Sequence, residues 1–260
     1  LIPISRFQFN REVGVDSSVV VFTDLDGTLL DHDTYSWAAA EPALSEIRRR
    51  GVPLILVTSK TRAEVARLRR ELDLPGEDIT ENGAQSRSYA WLCEQLRAAS
   101  ERTGVRVRGF HQMSAEEIAS AASLPIETAR LAAQREHAEP FQILDTDRAA
   151  ELLADLEAQG LRWTRGGRFH HLFERGSKGE AVRRLLERYP GVVSIALGDA
   201  LNDAGMLEAV DRPVIVRSAR AEDLRQAVPR APITSLPGPA GWNEALLRFF
   251  GSLGESPSAC

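Results

Sequence analysis

Four short stretches of the chain are almost continuously apolar: residues 19–22 (VVVF), 53–57 (PLILV), 192–197 (VVSIAL) and 213–216 (PVIV). Runs of this length without polar alternation fit strands covered on both faces. Helical patterns lie between them. Residues 41–51 carry Pro42 near the start and Gly51 just past the end, the usual asymmetry of a helix. Residues 61–72 open on Thr61 and Glu64, and residues 177–189 on Ser177 and Glu180. Each pair has capping-box spacing. A further helix is expected at 203–210. Repeated strand–helix–strand units specify an α/β fold, a doubly wound, Rossmann-like parallel sheet with helices on both faces.

The middle of the chain follows another rule. Residues 105–109, 141–144, 161–164 and 168–173 alternate polar and apolar positions, as in an antiparallel sheet with one wet face. Helices are expected near 115–133 and 147–159. This reads as an inserted α+β cap domain, 86–172, splitting a core domain into 18–85 and 173–250. Residues 1–17 and 251–260 read as tails. Gly166 and Gly167 suit a hairpin turn. His170 and His171 point to opposite faces of one strand. Trp91, Trp163 and Trp242 read as core residues. A crevice between two domains is a common setting for a small-molecule site.

Composition narrows the class. The 260 residues are 43% hydrophobic and 27% charged, ordinary for a soluble globular protein. A net charge of −5 argues against a nucleic-acid partner. No apolar run is long enough to span a bilayer, and the start shows no secretory pattern. Cys93 and Cys260 make no disulfide framework, so a cytoplasmic protein is expected. Of 32 basic residues only Lys60 and Lys178 are lysine. Both stand beside helix starts, which singles them out from an arginine-rich surface.

In an open parallel sheet, ligands bind at the carboxyl ends of the strands. Four polar clusters reach that edge: Asp24-Leu25-Asp26, Thr58-Ser59-Lys60, Lys178, and Asp199-Ala200-Leu201-Asn202-Asp203. A calcium loop counted from Asp24 would place Thr28, Leu29 and Tyr35 where an acid, a glycine and a glutamate are needed. Phosphoryl transfer uses every cluster. A carboxylate approaching a phosphate monoester is repelled unless charge is neutralised. Mg2+ held by carboxylates from Asp24, Asp26, Asp199 and Asp203, with Asp24 and Asp199 foremost, would supply that neutralisation. Lys178 adds a positive charge at a helix N-terminus. Thr58 offers a hydroxyl to a phosphoryl oxygen, with Ser59 as the competing hydroxyl. Asp24 is then the nucleophile and Asp26 the acid–base partner. Gly27 allows the turn that lets the two acids converge.

The stretches DLDGTLL, VTSK, SKG and GDALND, in this order, resemble the four motifs of the haloacid dehalogenase superfamily of phosphohydrolases. The insertion between the second and third resembles members with a large α/β cap, which act mostly on sugar phosphates. TSKTRAEV (58–65), ITENGA (79–84), REHAEPF (135–141) and GGRFHHL (166–172) together resemble the mannosyl-3-phosphoglycerate phosphatase family. That resemblance implies a phosphorylated sugar-glycerate substrate, Mg2+ and a cytoplasmic role in making a compatible solute. It places Lys60, Glu81, Asn82, Gly83 and Asn202 against the substrate from the core. It places Arg135, His137, Glu139, Arg168 and His170 against it from the cap. Broader sugar-phosphate phosphatases, sucrose-phosphate phosphatases and phosphomutases share the core motifs. A binding module that has lost catalysis is the non-enzymatic alternative.

Overall fold

The computed structural model describes residues 18–166 and 168–254. The tail at 1–17 and Cys260 lie outside the described residues. The first half of the core contains β1 (Val19–Thr23), α1 (Glu41–Arg50), β2 (Leu54–Val57), α2 (Arg62–Leu72) and β3 (Asp78–Ile79). The insertion contains α3 (Tyr89–Thr103), β4 (Val107–Gly109), α4 (Ala115–Ala122), α5 (Ile126–Ala132), β5 (Glu139–Ile143), α6 (Ala149–Ala158), β6 (Arg162–Gly166) and β7 (Phe169–Phe173). The chain then returns through α7 (Lys178–Leu186), β8 (Val193–Gly198), α8 (Ala204–Glu208), β9 (Arg212–Arg217), α9 (Ala221–Ala227), β10 (Ile233–Pro237) and α10 (Gly238–Gly254).

The core sheet has the order β10-β9-β8-β1-β2-β3, and all its pairings are parallel. The apolar runs are continuous because both faces are covered. Val19 and Val21 pack on one side with Leu44 of α1, Leu68 of α2 and Trp242 of α10. Val20 and Phe22 pack on the other with Val182 of α7, Leu207 of α8 and Leu224 of α9. The central position of β1, between β8 and β2, carries its carboxyl end to the middle of one sheet edge.

The second sheet is antiparallel, in the order β4-β5-β7-β6. One face carries Phe141, Ile143 and Leu172 against Leu92 and Leu96 of α3 and Leu152 and Leu156 of α6. On the other side, Phe169 packs with Ile118 of α4 and Ala129 and Ala132 of α5. The two linkers between the sheets pair with each other: the Gln85 amide donates to the Arg175 carbonyl at 2.8 Å and the Arg175 amide donates back at 3.0 Å. Gly176, at φ +95°, lies against the Gly83 carbonyl, and a Cβ there would collide with that backbone.

Several local expectations change. The helix expected at 115–133 is two helices, broken where Ser123 adopts φ +55° and Pro125 follows Leu124, because the residue before a proline is pushed out of helical geometry. α3 was not anticipated; Ser88 caps its start by accepting the Trp91 amide, and Gly104 ends it in a left-handed conformation. α10 continues to Gly254, into the segment read as a tail. Trp242 is fully buried, whereas Trp91 and Trp163 are half-buried on the cap. Gly166 faces Phe169 across the β6–β7 turn; Gly167 lies outside the described residues.

Candidate active site

β1 ends by handing its ladder to Asp24, whose amide donates to the Leu197 carbonyl of β8 at 2.9 Å. Its carbonyl accepts the Thr23 hydroxyl at 2.7 Å, and that hydroxyl in turn accepts Trp242 Nε1 at 2.9 Å. The C-terminal helix therefore braces the backbone beneath the Asp24 side chain. Lys178 Nζ donates to Asp24 Oδ1 at 2.5 Å and to Asp203 Oδ1 at 2.6 Å, with the lysine side chain only 1% exposed. Asp203 spends its other oxygen on the amides of Asp199 and Ala200, both at 3.1 Å. It thus shapes the loop that presents Asp199. One carboxylate oxygen from each of Asp24, Asp199 and Asp203 falls within a 4.8 Å sphere of mutual separation.

The electrostatics are strained by burial. Desolvation pushes the Asp24 carboxyl well above the usual carboxylate range; Lys178 opposes this, and Asp203 and Asp199 add to it. Burial likewise lifts Asp199 to about 7, with Asp203 adding and Lys178 and the Thr28 hydroxyl opposing. Burial alone would lower Lys178, but Asp203 and Asp24 outweigh it and hold the ammonium firmly charged. One lysine among three close carboxylates leaves a net negative pocket that a hard, oxygen-preferring cation fits. Gly27 shapes the same place: it sits at φ +80°, and a Cβ would come within 2.7 Å of Asp199 Oδ2.

The neighbouring loops supply the rim. Thr23 pairs with Leu56, which brings Thr58 to the same sheet edge as Asp24. The buried Thr58 hydroxyl accepts the Lys60 amide at 3.2 Å. Lys60 Nζ lies 2.9 Å from Asp26 Oδ1 and 5.0 Å from the ring centre of Tyr35. Asp26, 38% exposed, stands further out than Asp24. Beside Lys60 and Tyr35, a cleft of about 290 Å³ opens towards Leu124, Thr128 and Leu131 of the cap. Arg135 crosses from the cap, donating from Nη1 to the Ser59 carbonyl at 2.8 Å and from Nε to Ala132 at 2.9 Å.

Residues 17–235 match the family described as sucrose-6F-phosphate phosphohydrolase. The chain belongs to this phosphatase family. It is 36% identical to a glucosyl-3-phosphoglycerate/mannosyl-3-phosphoglycerate phosphatase of Methanococcoides burtonii over 89% of this chain and 97% of that one. A protein of the same description from Persephonella marina is 34% identical over 90% of this chain and 98% of its own. In fold, the chain is similar to a haloacid dehalogenase-like hydrolase from Bacteroides thetaiotaomicron, with a TM-score of 0.68, 19% identity, and coverage of 89% and 99%. It is a phosphoric monoester hydrolase of the haloacid dehalogenase type.

In this phosphatase the residues singled out in the sequence divide into those at the crevice and those held elsewhere. Asp24, Asp199, Asp203 and Lys178 converge, and Asp26, Thr58, Lys60 and Asn202 border them on the same edge. Asn82 is buried beside this loop, its backbone amide donating to the Thr58 carbonyl at 2.7 Å and its Oδ1 without a partner among the described residues. Glu81 points at the cap backbone instead: its carboxylate accepts the amides of Glu136 (2.9 Å), His137 (3.0 Å) and Ala138 (2.7 Å). Glu81, Asn82 and Gly83 hold three consecutive left-handed conformations to make this possible.

Two of the cap residues lie on the helix-covered side of their sheet. Glu139 shares the face of Phe141 and Ile143, where it takes the Tyr89 hydroxyl and pairs with His111 Nδ1 at 2.6 Å. His170 lies between Phe141, tilted against it, and Trp163, edge-on to it, at 5.4 and 5.5 Å between ring centres. The period-2 alternation of a strand sends its neighbour His171 to the opposite face. Arg168 is exposed, donating to Ser123 Oγ at 2.5 Å. His137 lies in the cap loop between α5 and β5, its ring Nδ1 buried without a partner among the described residues. Sequence reasoning also missed the Thr28 hydroxyl, 3.3 Å from Asp199 Oδ1, and Tyr35. The DGT triplet was the available signal for Thr28; nothing local marks the tyrosine.

Proposed function

We propose that this phosphatase removes phosphate from mannosyl-3-phosphoglycerate, and from its glucosyl counterpart, through an aspartyl-phosphate on Asp24 with Mg2+ as cofactor. The observation that carries the mechanism is Asp24 at the end of β1, pinned by Lys178 within a cluster of carboxylates. The substrate rests on the two near-full-length relatives, both described as glucosyl-3-phosphoglycerate/mannosyl-3-phosphoglycerate phosphatases. Asp24, Asp199 and Asp203 provide oxygen ligation suited to Mg2+. When bound, the cation supplies charge neutralisation at the phosphoryl oxygens.

The chain's own residues do the rest. Asp24 attacks phosphorus while the substrate's 3-oxygen leaves; Asp26 gives that oxygen a proton. Asp26 then takes a proton from the water that hydrolyses the aspartyl-phosphate, which restores both carboxyls and releases phosphate. Lys178 holds Asp24 in line and offsets its charge. Thr58 can donate its hydroxyl to the phosphoryl group. Arg135, anchored on Ser59, brings a guanidinium suited to a carboxylate such as that of the glycerate. The cap excludes bulk water from this exchange.

Phosphate release should be followed from mannosyl-3-phosphoglycerate, glucosyl-3-phosphoglycerate, sucrose 6-phosphate and free 3-phosphoglycerate. The expected result is a kcat/KM for the two glycosyl-phosphoglycerates at least tenfold above the others, on the order of what one or two lost polar contacts cost. Equal rates on all four would contradict the substrate assignment.

A further inference from the structure

Strands β6 and β7 place Thr164 directly opposite His171. Thr164 Oγ1 and His171 Nδ1 are both buried and without a hydrogen-bond partner among the described residues. His171 is only 7% exposed. Folded proteins seldom leave buried polar side-chain atoms unpaired, so two facing each other need an explanation.

Their face of the sheet supplies one. Trp163 and His170, the adjacent residues, meet edge-on on the side covered by α3 and α6, where Trp163 Nε1 donates to Glu157 at 2.9 Å. Alternation therefore turns Thr164 and His171 towards the core. Arg162, on the same face as Thr164, reaches Glu180 of α7 at 3.3 Å, and β6 packs against the Leu201–Asp203 turn. The charges of Arg135 and Lys178 both act on the His171 ring. The two unpaired atoms thus lie on the core-facing side of the cap sheet, within the electrostatic reach of Lys178, the lysine that holds Asp24.

Their chemistry is neutral. A threonine hydroxyl carries no charge, and burial, reinforced by Arg135 and Lys178, pushes the His171 imidazole down to about 3. An uncharged imidazole donates at one nitrogen and accepts at the other. Such a pair matches hydroxyl groups, whereas the carboxylate and phosphate have the nearby cations. We infer that Thr164 and His171 form a hydroxyl-recognising subsite in the cap that holds the sugar of the substrate and sets the preference for a glycosylated leaving group. This inference rests on the proposed sugar-phosphate activity, and it assigns the role of cap histidine to His171 rather than His170.

The test compares Thr164→Val, Thr164→Ser, His171→Phe and His171→Asn with the unaltered chain, on mannosyl-3-phosphoglycerate and on p-nitrophenyl phosphate, which has no sugar. Valine keeps the shape of threonine and removes the hydroxyl; serine keeps the hydroxyl. The expected result is that Thr164→Val and His171→Phe each lower the ratio of kcat/KM for the sugar substrate over p-nitrophenyl phosphate by about tenfold, as expected when a site loses a hydrogen bond to a substrate hydroxyl. The loss should fall mainly on KM. Thr164→Ser should recover most of the ratio, and His171→Asn part of it. Equal losses on both substrates, or a ratio unchanged within about twofold, would overturn the subsite. An unaltered chain preferring sucrose 6-phosphate would overturn the substrate reading alone, provided the same variants lose that preference. One that prefers free 3-phosphoglycerate would overturn both.

Discussion

At the residue scale, the site is governed by what burial does to carboxylates. As the proposed nucleophile, Asp24 would have to be ionised, yet burial favours its protonated form, and Lys178 only partly offsets this. Asp199, lifted to about 7 by burial and Asp203, is in the same position. A carboxyl whose pKa is raised keeps its proton as pH falls below that value, so a cation binding there must displace the proton. On account of Asp199, affinity for Mg2+ is therefore expected to weaken as pH falls below about 7, by about tenfold per pH unit. Calorimetric titrations in two buffers of different ionisation heat should show proton release at pH 6 and almost none at pH 8. A pH-independent affinity between 6 and 8 would contradict the assignment of Asp199 to the cation. Asp203 has a part beyond the cation binding proposed for it. With Lys178 on one oxygen and two backbone amides on the other, it positions its neighbours as well as adding charge.

At the element scale, the contact between core and cap turns on a few backbone segments. Glu81 gathers three consecutive cap amides on one buried carboxylate, while its own amide donates to the Lys60 carbonyl at 2.9 Å. The loop carrying Thr58 and Lys60 is thereby tied to the cap loop between α5 and β5. Glu81→Gln would aim an amide donor at those amides and cost roughly 2 kcal/mol, the scale of hydrogen bonds to a buried charged group. Hydrogen exchange at residues 136–138 should quicken by at least tenfold, with a lower melting temperature; unchanged exchange would refute the tie. No sequence signal announced this role, because the partners lie 55 to 57 residues away. What is local was legible. Strand ends, capping boxes and the order of the four polar clusters located Asp24, Thr58, Lys178 and Asp199 at one sheet edge. What depends on strand pairing was not. Glu139 and His170 lie on the helix-covered face of the cap sheet, and only the partner strands fix which face that is.

At the scale of the whole molecule, a parallel sheet sets the acids at its carboxyl edge, and an inserted antiparallel sheet stands over them. The two linkers cross at Gln85 and Arg175, so the cap is joined to the core by a narrow paired waist and by side-chain contacts such as Arg135 on Ser59. Both layers could be anticipated from the switch between continuous and alternating apolar patterns. α3 could not be placed by strand patterns, and the break at Ser123–Pro125 divided what periodicity joined. Among the described residues, no helix is long and apolar enough to cross a membrane. The architecture has one chemical purpose in this account: to let a buried carboxylate become a nucleophile towards phosphorus. Rapid acid quench of a single turnover with substrate labelled in its phosphoryl group tests that purpose most directly. The account predicts a transient covalent label on a peptide containing Asp24, lost in Asp24→Asn together with at least a thousandfold of turnover, the scale of removing a nucleophile. Phosphate release without any protein-bound label, or a label on another residue, would contradict it.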